Sequence, residues 1–219
     1  MTTHADPIIL LADPAVGSVP VHECAEPLVP LDPRLGAGVL LRTGVAARVE
    51  HAASRLPCGF GLRVQEGYRP ASAQQAIIDM YAAQVAAAHP GADAAEQRRL
   101  TSRFVAPLAV APHVAGAAVD VTVTGFDGQD LDLGTPIDAT PESSGGRCFT
   151  QAMDIGDRPR LLRQLLADVM TAAGLVNYPT EWWHWSYGDR YWALRTGSAY
   201  ALYGPCPEPT LASAVRYAS

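Results

Sequence analysis

The most constraining segment of this chain is residues 180–187, near the C-terminus, where Glu181 and His184 lie among three tryptophans. A carboxylate and an imidazole enclosed by large aromatic side chains must find a partner or lose their charge, because burying an unpaired charge is costly. Ionisable groups in such surroundings are concentrated at functional sites. The segment therefore indicates a metal or substrate site, for which the rest of the chain should supply further ligands.

Two candidate ligands lie upstream, His113 and Asp120, in a stretch that contains Gly116. Together with His184 they form a set of two imidazoles and one carboxylate, which suits a catalytic zinc ion with a fourth position open for water. Glu181 is then left over, and a carboxylate beside a ligand can act as general base on the water that zinc activates. A lone buried histidine is more often an ordinary core residue, so the prediction of one zinc ion per chain depends on all four residues.

These residues also resemble the motifs of a known family. The pattern His-x-x-Gly-x-Ala-x-Asp at residues 113–120, followed by Glu-x-x-His at residues 181–184, is similar to that of the zinc D,D-peptidases. Glu-Gly-Tyr-Arg-Pro at residues 66–70 resembles their D-alanyl-D-alanine dipeptidase branch, the VanX type, and the resemblance extends over residues 36–205. It implies zinc-dependent hydrolysis of a small D-amino-acid dipeptide, with D-Ala-D-Ala as the leading candidate.

The resemblance implies roles for two more residues. Arg69 follows a predicted strand and precedes Pro70, and the family uses an arginine in this motif to bind the developing oxyanion. A fixed guanidinium suits that role because it donates hydrogen bonds and keeps its charge. Asp138 matches the position at which the family binds the free amino group of the substrate. An ordinary salt bridge for Arg69 and a turn-supporting role for Asp138 remain alternatives.

Ala111 and Pro112 depart from the family pattern, since the dipeptidase branch commonly has hydroxyl residues here that help to hold the terminal carboxylate of the substrate. Losing such donors from a dry pocket would weaken recognition by about 1–3 kcal/mol each, and Pro112 has no N–H to compensate. Two alternatives therefore stay open, a D,D-carboxypeptidase acting on peptidoglycan stems and a non-catalytic zinc-containing binding module. Glu181 and Arg69 count against the binding module, which needs neither a base nor an oxyanion donor.

Length and charge limit the other possibilities. A chain of 219 residues fits one domain over residues 1–219, with residues 1–35 as an extension packed on it. A formal net charge of −6 makes nucleic acid and anionic membrane surfaces unsuitable partners, and the absence of lysine excludes Schiff-base chemistry. The expected partner is a small dipeptide, and the oligomeric state is not indicated.

The four cysteines have no Cys-x-x-Cys spacing and are expected to be free thiols. The N-terminus lacks the cationic segment and apolar core of a signal peptide, and no apolar run approaches the length of about 20 residues that a membrane span needs. We therefore expect a cytoplasmic protein.

Hydrophobic periodicity predicts both helices and strands, and the family resemblance implies an α+β fold in which helices flank a central, mostly antiparallel sheet. The resemblance implies the zinc D,D-peptidase fold, which is shared with hedgehog proteins. Strands are predicted at residues 61–66 and 117–124, and helices at residues 38–56, 72–89, 93–104 and 157–174. The first 35 residues are predicted to form an edge strand or two plus loops.

Several local details are also predicted. Ser72 with Gln75 forms a capping box, and Asp157 caps the helix that follows it. Residues 181–194 form a strand pair with its turn at residues 188–189, and residues 133–153 form a long loop that covers the site. Because residues three apart in a strand face opposite sides, Glu181 must lie in the loop before the strand, or a bulge must intervene.

Overall fold

The computed structural model of the chain describes residues 8–103 and 105–207. The helices in these ranges are α1 (Pro14–Ser18), α2 (Pro33–Gly36), α3 (Thr43–Ser54), α4 (Ala71–Ala88), α5 (Ala94–Thr101), α6 (Pro141–Ser144), α7 (Asp157–Ala172) and α8 (Arg190–Thr196). The strands are β1 (Leu28–Pro30), β2 (Leu40–Arg42), β3 (Gly61–Glu66), β4 (Ala118–Thr124), β5 (Val176–Asn177) and β6 (His184–Ser186). The predicted α+β class with an antiparallel sheet is confirmed.

The central sheet has four strands in the order β3-β4-β6-β5, all antiparallel. Strand β4 lies in its interior and is rich in β-branched residues, which favour strands; all of its residues are buried, so both of its faces are covered. Its register pairs Asp120 with His184 on one side and with Glu66 on the other. Three polar residues that are distant in sequence are thereby brought to one end of the sheet.

The region around residue 40 differs from the prediction of one helix over residues 38–56. Residues 40–42 form β2, which pairs with β1, and the helix α3 begins only at Thr43. The apolar spacing in this stretch suited a helix, but pairing with a segment that is distant in sequence decides the conformation. In the N-terminal part, the predicted edge strand exists as β1.

Two short helices in this part of the chain were not predicted. α1 and α2 each have an aspartate as N-cap, Asp13 and Asp32, followed by a proline in the first turn. Aspartate followed by proline is a known helix-start signal. The sequence therefore contained the information that was missed.

The helices α4 and α7 lie where they were predicted, but both predicted caps are wrong. The N-cap of α4 is Pro70, without a side-chain hydrogen bond, so Ser72 lies inside the first turn and does not form the capping box. The N-cap of α7 is Gly156, and Asp157 is the first helical residue. The N-cap of α5 is Asp93, the first residue of the predicted helix, and this helix ends at Thr101, earlier than expected.

The prediction of a strand pair over residues 181–194 is also wrong. After β6 the chain turns at Gly188 and enters α8, whose N–H groups at Tyr191 and Trp192 donate to the carboxylate of Asp189. Asp189 is 2% exposed, so it is a buried N-cap and not part of a surface turn. The strands that pair with β6 are β4 and β5.

The stretch at residues 133–153 is irregular apart from the one-turn helix α6, as predicted for a covering loop. Arg163 of α7 holds it in place, because its guanidinium donates to the carbonyls of Leu133 (2.7 Å), Phe149 (2.7 Å) and Arg147 (2.9 Å). The same guanidinium lies 5.5 Å from the ring centre of Trp182. Burial lowers the pKa of Arg163 to about 10, which leaves it charged at neutral pH.

We expect Arg163→Met to lower the free energy of unfolding by about 3–5 kcal/mol, because it removes three charge-assisted hydrogen bonds and leaves buried carbonyls without a donor. Chemical denaturation, monitored by circular dichroism, would measure this decrease in the free energy of unfolding. Arg160→Met, on the same helix, is the matched control, since Asp157, which is exposed, is the one partner of Arg160 among the described residues. This change should alter stability by less than about 1 kcal/mol. Equal midpoints for the two variants would contradict the proposed role of Arg163.

The four cysteines all lie in described residues and are free thiols, as predicted. In the part of the chain that the structure describes, no helix combines the length and apolar character required to cross a membrane. The N-terminal residues contact the rest of the chain through α1, which packs on α8. The division into one domain with residues 1–35 as an extension stays a prediction.

Candidate active site

The three predicted metal ligands come together from three parts of the fold. Asp120 lies in β4, His184 is the first residue of β6, and His113 lies in the turn that precedes β4. Gly116 ends this turn with a φ of 65°, a left-handed conformation that glycine adopts without strain. All three ligand candidates are 4–5% exposed. They form the cluster that could hold a metal ion within the described residues.

The spacing of their polar atoms fits a tetrahedral ion. Nε2 of His113 lies 3.2 Å from Nδ1 of His184 and 3.4 Å from Oδ1 of Asp120. The third distance, from Nδ1 of His184 to Oδ1 of Asp120, is 3.1 Å. Ligands bound tetrahedrally at about 2.0–2.1 Å from zinc lie about 3.3–3.4 Å apart. The three atoms therefore have the separations that one zinc ion requires.

The tautomer of His113 provides a second test of the fit. Nδ1 of His113 lies 2.7 Å from the carbonyl oxygen of Gly67, and a carbonyl can only accept, so Nδ1 carries the proton. In the neutral ring, Nε2 then directs its lone pair towards the other two ligand atoms. Metal-binding histidines commonly donate their second ring N–H to a carbonyl in this way. The donor set and its orientation fit a zinc ion.

The local charges favour a cation at this point. Although burial opposes ionisation, His113 and His184 hold the pKa of Asp120 below its usual range. Burial likewise opposes a charged imidazole, yet Asp120 raises the pKa of His113. The buried carboxylate thus stabilises positive charge between the two rings.

Glu181 lies in the loop immediately before β6, which is the first of the two alternatives that the sequence left open. Its Oε2 is 3.9 Å from Nδ1 of His184, so the carboxylate stands beside the ligand cluster. Desolvation raises the pKa of Glu181 to about 7; the nearby charge of Asp120 acts in the same direction, whereas His184 opposes it. A carboxylate with a raised pKa can take up and release a proton near neutral pH.

Arg69 is fixed beside the ligands by both its backbone and its side chain. Its backbone N–H donates to the carbonyl of His113 at 3.1 Å. The guanidinium forms a two-pronged pair with Glu66, and its Nη1 donates to Oε1 of Gln74 at 2.7 Å. These bonds use three of its five N–H groups, so two remain for a substrate. Neither Glu66 nor Gln74 was recognised from the sequence, although a glutamate three residues before Arg69 was a readable signal.

Glycine is required at residue 67, which links Arg69 to the ligand segment. A Cβ at Gly67 would lie 2.7 Å from the carbonyl oxygen of Leu40, closer than real Cβ atoms come. The absence of a side chain allows this backbone to lie against β2 while its own carbonyl accepts from His113. The motif at residues 66–70 therefore acts as one unit with His113.

Asp138, in the covering loop, has a φ of 64°, a left-handed conformation that is uncommon for residues other than glycine and often marks functional sites. Burial raises the pKa of Asp138, and the charges of Asp120 and Glu66 act in the same direction. Asp138 lines the same cavity as the ligand cluster.

These residues line one cavity of about 510 Å³, a size typical of small-molecule sites. Its wall includes the three ligand candidates and also the following: Glu66, Arg69, Asp138, Glu142 and Glu181. Residues from the covering loop and from the N-terminal segment, among them Leu10 and Leu11, complete the wall. The structure thus places every predicted site residue in the same cavity.

Comparison with known proteins finds a family and two relatives with the same description. The family model Peptidase_M15, described as D-ala-D-ala dipeptidase, matches residues 36–200. A D-alanyl-D-alanine dipeptidase of Synechocystis sp. is 29% identical over 220 residues, which covers 80% of this chain and 87% of the relative. A D-alanyl-D-alanine dipeptidase of Enterococcus faecalis is 30% identical over 146 residues, 64% of this chain and 66% of the relative.

Among solved structures, similarity is found to the vancomycin-resistance D,D-pentapeptidase VanY from a VanB-type cassette. A mutant of that protein in complex with Zn(II) is 20% identical, with a TM-score of 0.41 and coverage of 87% of this chain and 94% of the other. VanYB in complex with D-alanine-D-alanine is 21% identical, with a TM-score of 0.38 and coverage of 78% and 84%.

Proposed function

Because this chain belongs to the Peptidase_M15 family of D-alanyl-D-alanine dipeptidases, we propose that it hydrolyses D-Ala-D-Ala, or a closely related D-amino-acid dipeptide, with the help of one zinc ion. The observation that carries the proposal is the convergence of His113, Asp120 and His184 on one point, with Glu181 beside it. Those three residues would hold the ion. Zinc bound there would act as a Lewis acid and lower the pKa of a coordinated water to about 7.

Glu181 moves the proton in this proposal. Its Oε2 lies 3.9 Å from Nδ1 of His184 and takes a proton from the water that attacks the amide carbonyl. The same oxygen then gives the proton to the amine that leaves. Glu181 must be a base in the first step and an acid in the second, and its burial, which raises the pKa of the carboxyl, favours the return of the proton.

Arg69 and Asp138 bind two polar groups of the substrate, the carbonyl of the amide that is cleaved and the ammonium group. The two free N–H groups of Arg69 donate to the carbonyl oxygen as negative charge develops on it, and Glu66 keeps the guanidinium oriented. Asp138 binds the ammonium group of the substrate, since it lines the cavity and an ionised carboxylate forms a charge-assisted hydrogen bond with an ammonium group. Both roles extend the proposal and need their own tests.

The shape of the cavity supports a dipeptide over a longer peptidoglycan stem. Residues 138–142 of the covering loop and residues 10–11 of the N-terminal segment lie on the cavity wall, and Arg163 fixes the loop to the core. A carboxypeptidase would need an open path for the remainder of the stem. Glu181 and Arg69, both directed into the cavity, likewise support catalysis over binding alone.

A panel of D,D-, L,D- and L,L-dipeptides and an acylated D-Ala-D-Ala stem peptide tests the proposal, with each reaction run before and after treatment with a chelator. We expect release of D-alanine from D-Ala-D-Ala, loss of this activity with the chelator and recovery on addition of zinc. The acylated stem should be cleaved far more slowly, because it lacks the ammonium group that Asp138 would bind. Failure of the zinc-loaded protein to cleave any D,D-dipeptide would refute the proposed function.

A further inference from the structure

The cavity contains more acidic than basic groups that are free to bind a ligand. Within the described residues, the carboxylates of Asp138, Glu142 and Glu181 line it without an arginine partner. Arg69 is already paired with Glu66. A dipeptide with free ends carries one ammonium and one carboxylate, so the acidic side of the cavity leaves the carboxylate end without an obvious partner.

Most donors near the first ligand are already used. The N–H of Ala111 donates to the carbonyl of Leu108, and Pro112 has no N–H. The side-chain amide of Gln74 donates to the carbonyl of Ala106 at 2.8 Å. Ala111 and Pro112, the two residues before His113, also have no hydroxyl group. The segment therefore offers little to a substrate carboxylate.

Arg103 is the remaining cation on the cavity wall in the described part of the chain. It follows α5, and its backbone N–H donates to the carbonyl of Leu100 at 3.2 Å. Its side chain is exposed and makes no hydrogen bond or ion pair to another described residue. All of its guanidinium donors therefore remain available, in a geometry that matches a carboxylate.

We propose that Arg103 binds the C-terminal carboxylate of the substrate. The inference rests on the proposed function and adds the group that selects a free C-terminal carboxylate. The cavity then matches a zwitterion, with Asp138 at the ammonium end and Arg103 at the carboxylate end. Arg103 takes over a task for which positions 111 and 112 have no side-chain donor.

The test compares D-Ala-D-Ala with its C-terminal amide, D-Ala-D-Ala-NH₂, which lacks the charge that Arg103 would bind. We expect Arg103→Gln to raise KM for D-Ala-D-Ala by about 10- to 100-fold, the range of a charge-assisted hydrogen bond. Its kcat, and its kcat/KM for the amide, should remain close to those of the wild type. Arg103→Lys should recover part of the preference for the acid, because it restores the charge without the paired donors.

Arg99→Gln is the matched control, since Arg99 lies on α5 and, within the part of the chain that the structure describes, pairs only with Glu96 on the surface. It should leave both substrates unaffected. If Arg103→Gln keeps the wild-type ratio of kcat/KM for acid and amide, the assignment of Arg103 is overturned while the proposed function stands. If the wild type hydrolyses neither compound, the proposed function fails, and this inference fails with it.

Discussion

Replacing Glu181 by glutamine is expected to lower kcat for D-Ala-D-Ala by about 10²- to 10⁴-fold while the protein keeps its zinc. Glutamine has nearly the same shape as glutamate, but its amide cannot accept the proton of the attacking water. Oε2 of Glu181 lies 3.9 Å from Nδ1 of His184, and Glu181 is not one of the three residues that would bind the ion. Steady-state kinetics and metal analysis of the same preparation would measure the two quantities together.

Glu142→Gln is the control for this experiment. Glu142 also carries a carboxylate on the cavity wall, but it lies on α6 in the covering loop and outside the ligand cluster. It should keep kcat within a few-fold of the wild type. A Glu181→Gln protein that hydrolyses the dipeptide at close to the wild-type rate would show that another group acts as the base.

Asp120→Asn should lower zinc affinity by more than about 100-fold and abolish hydrolysis. Residues that only orient metal ligands already contribute about 10- to 100-fold to affinity, and Asp120 supplies both a ligand atom and the negative charge at the centre of the site. Its Oδ1 is the atom towards which both imidazoles point, at 3.1 and 3.4 Å. Competition with a chromophoric zinc chelator would give the affinity.

Asp138→Asn is the matched control, because Asp138 lines the same cavity but lies outside the ligand cluster. This variant should keep zinc affinity unchanged and raise KM for the dipeptide, since the neutral asparagine side chain lacks the negative charge that pairs with the ammonium group. Circular dichroism would show whether each variant is folded. Full zinc binding by a folded Asp120→Asn protein would contradict the proposed ligand set.

The sequence predicted the elements that have strong local signals. Strand β4 was recognisable from its alternating valines, and α4 and α7 from their helical spacing and the residues that end them. Strand geometry limited Glu181 to the loop before β6 or to a bulge, because a regular strand cannot present Glu181 and His184 on the same face, and the structure has the loop. Local chemistry decides these features, so a single sequence is enough to predict them.

Two of the errors occurred where contacts distant in sequence decide the conformation. Residues 40–42 form a strand because β1 is available as a partner, which their apolar spacing does not reveal. Asp189 was interpreted as part of a turn, whereas burial and the N–H groups of α8 make it a cap. In each case a local pattern fitted two structures and the tertiary contacts selected one.

In the candidate site, too, local sequence predicted some residues, whereas others depend on tertiary contacts. Its motifs identified six residues that the structure brings into one cavity, but not the residues that orient or complement them. The contacts of Arg69 with Glu66 and Gln74 depend on side-chain geometry. Arg103 reaches the cavity only because of the path of the chain after α5, which the motifs do not encode.

X-ray diffraction from crystals of the zinc-loaded protein, with data collected on both sides of the zinc absorption edge, tests the central claim most directly. We expect one anomalous peak per chain, at about 2.0–2.1 Å from Nε2 of His113, Nδ1 of His184 and Oδ1 of Asp120. The absence of a peak between these three atoms, or a single peak elsewhere in the molecule, would contradict the account.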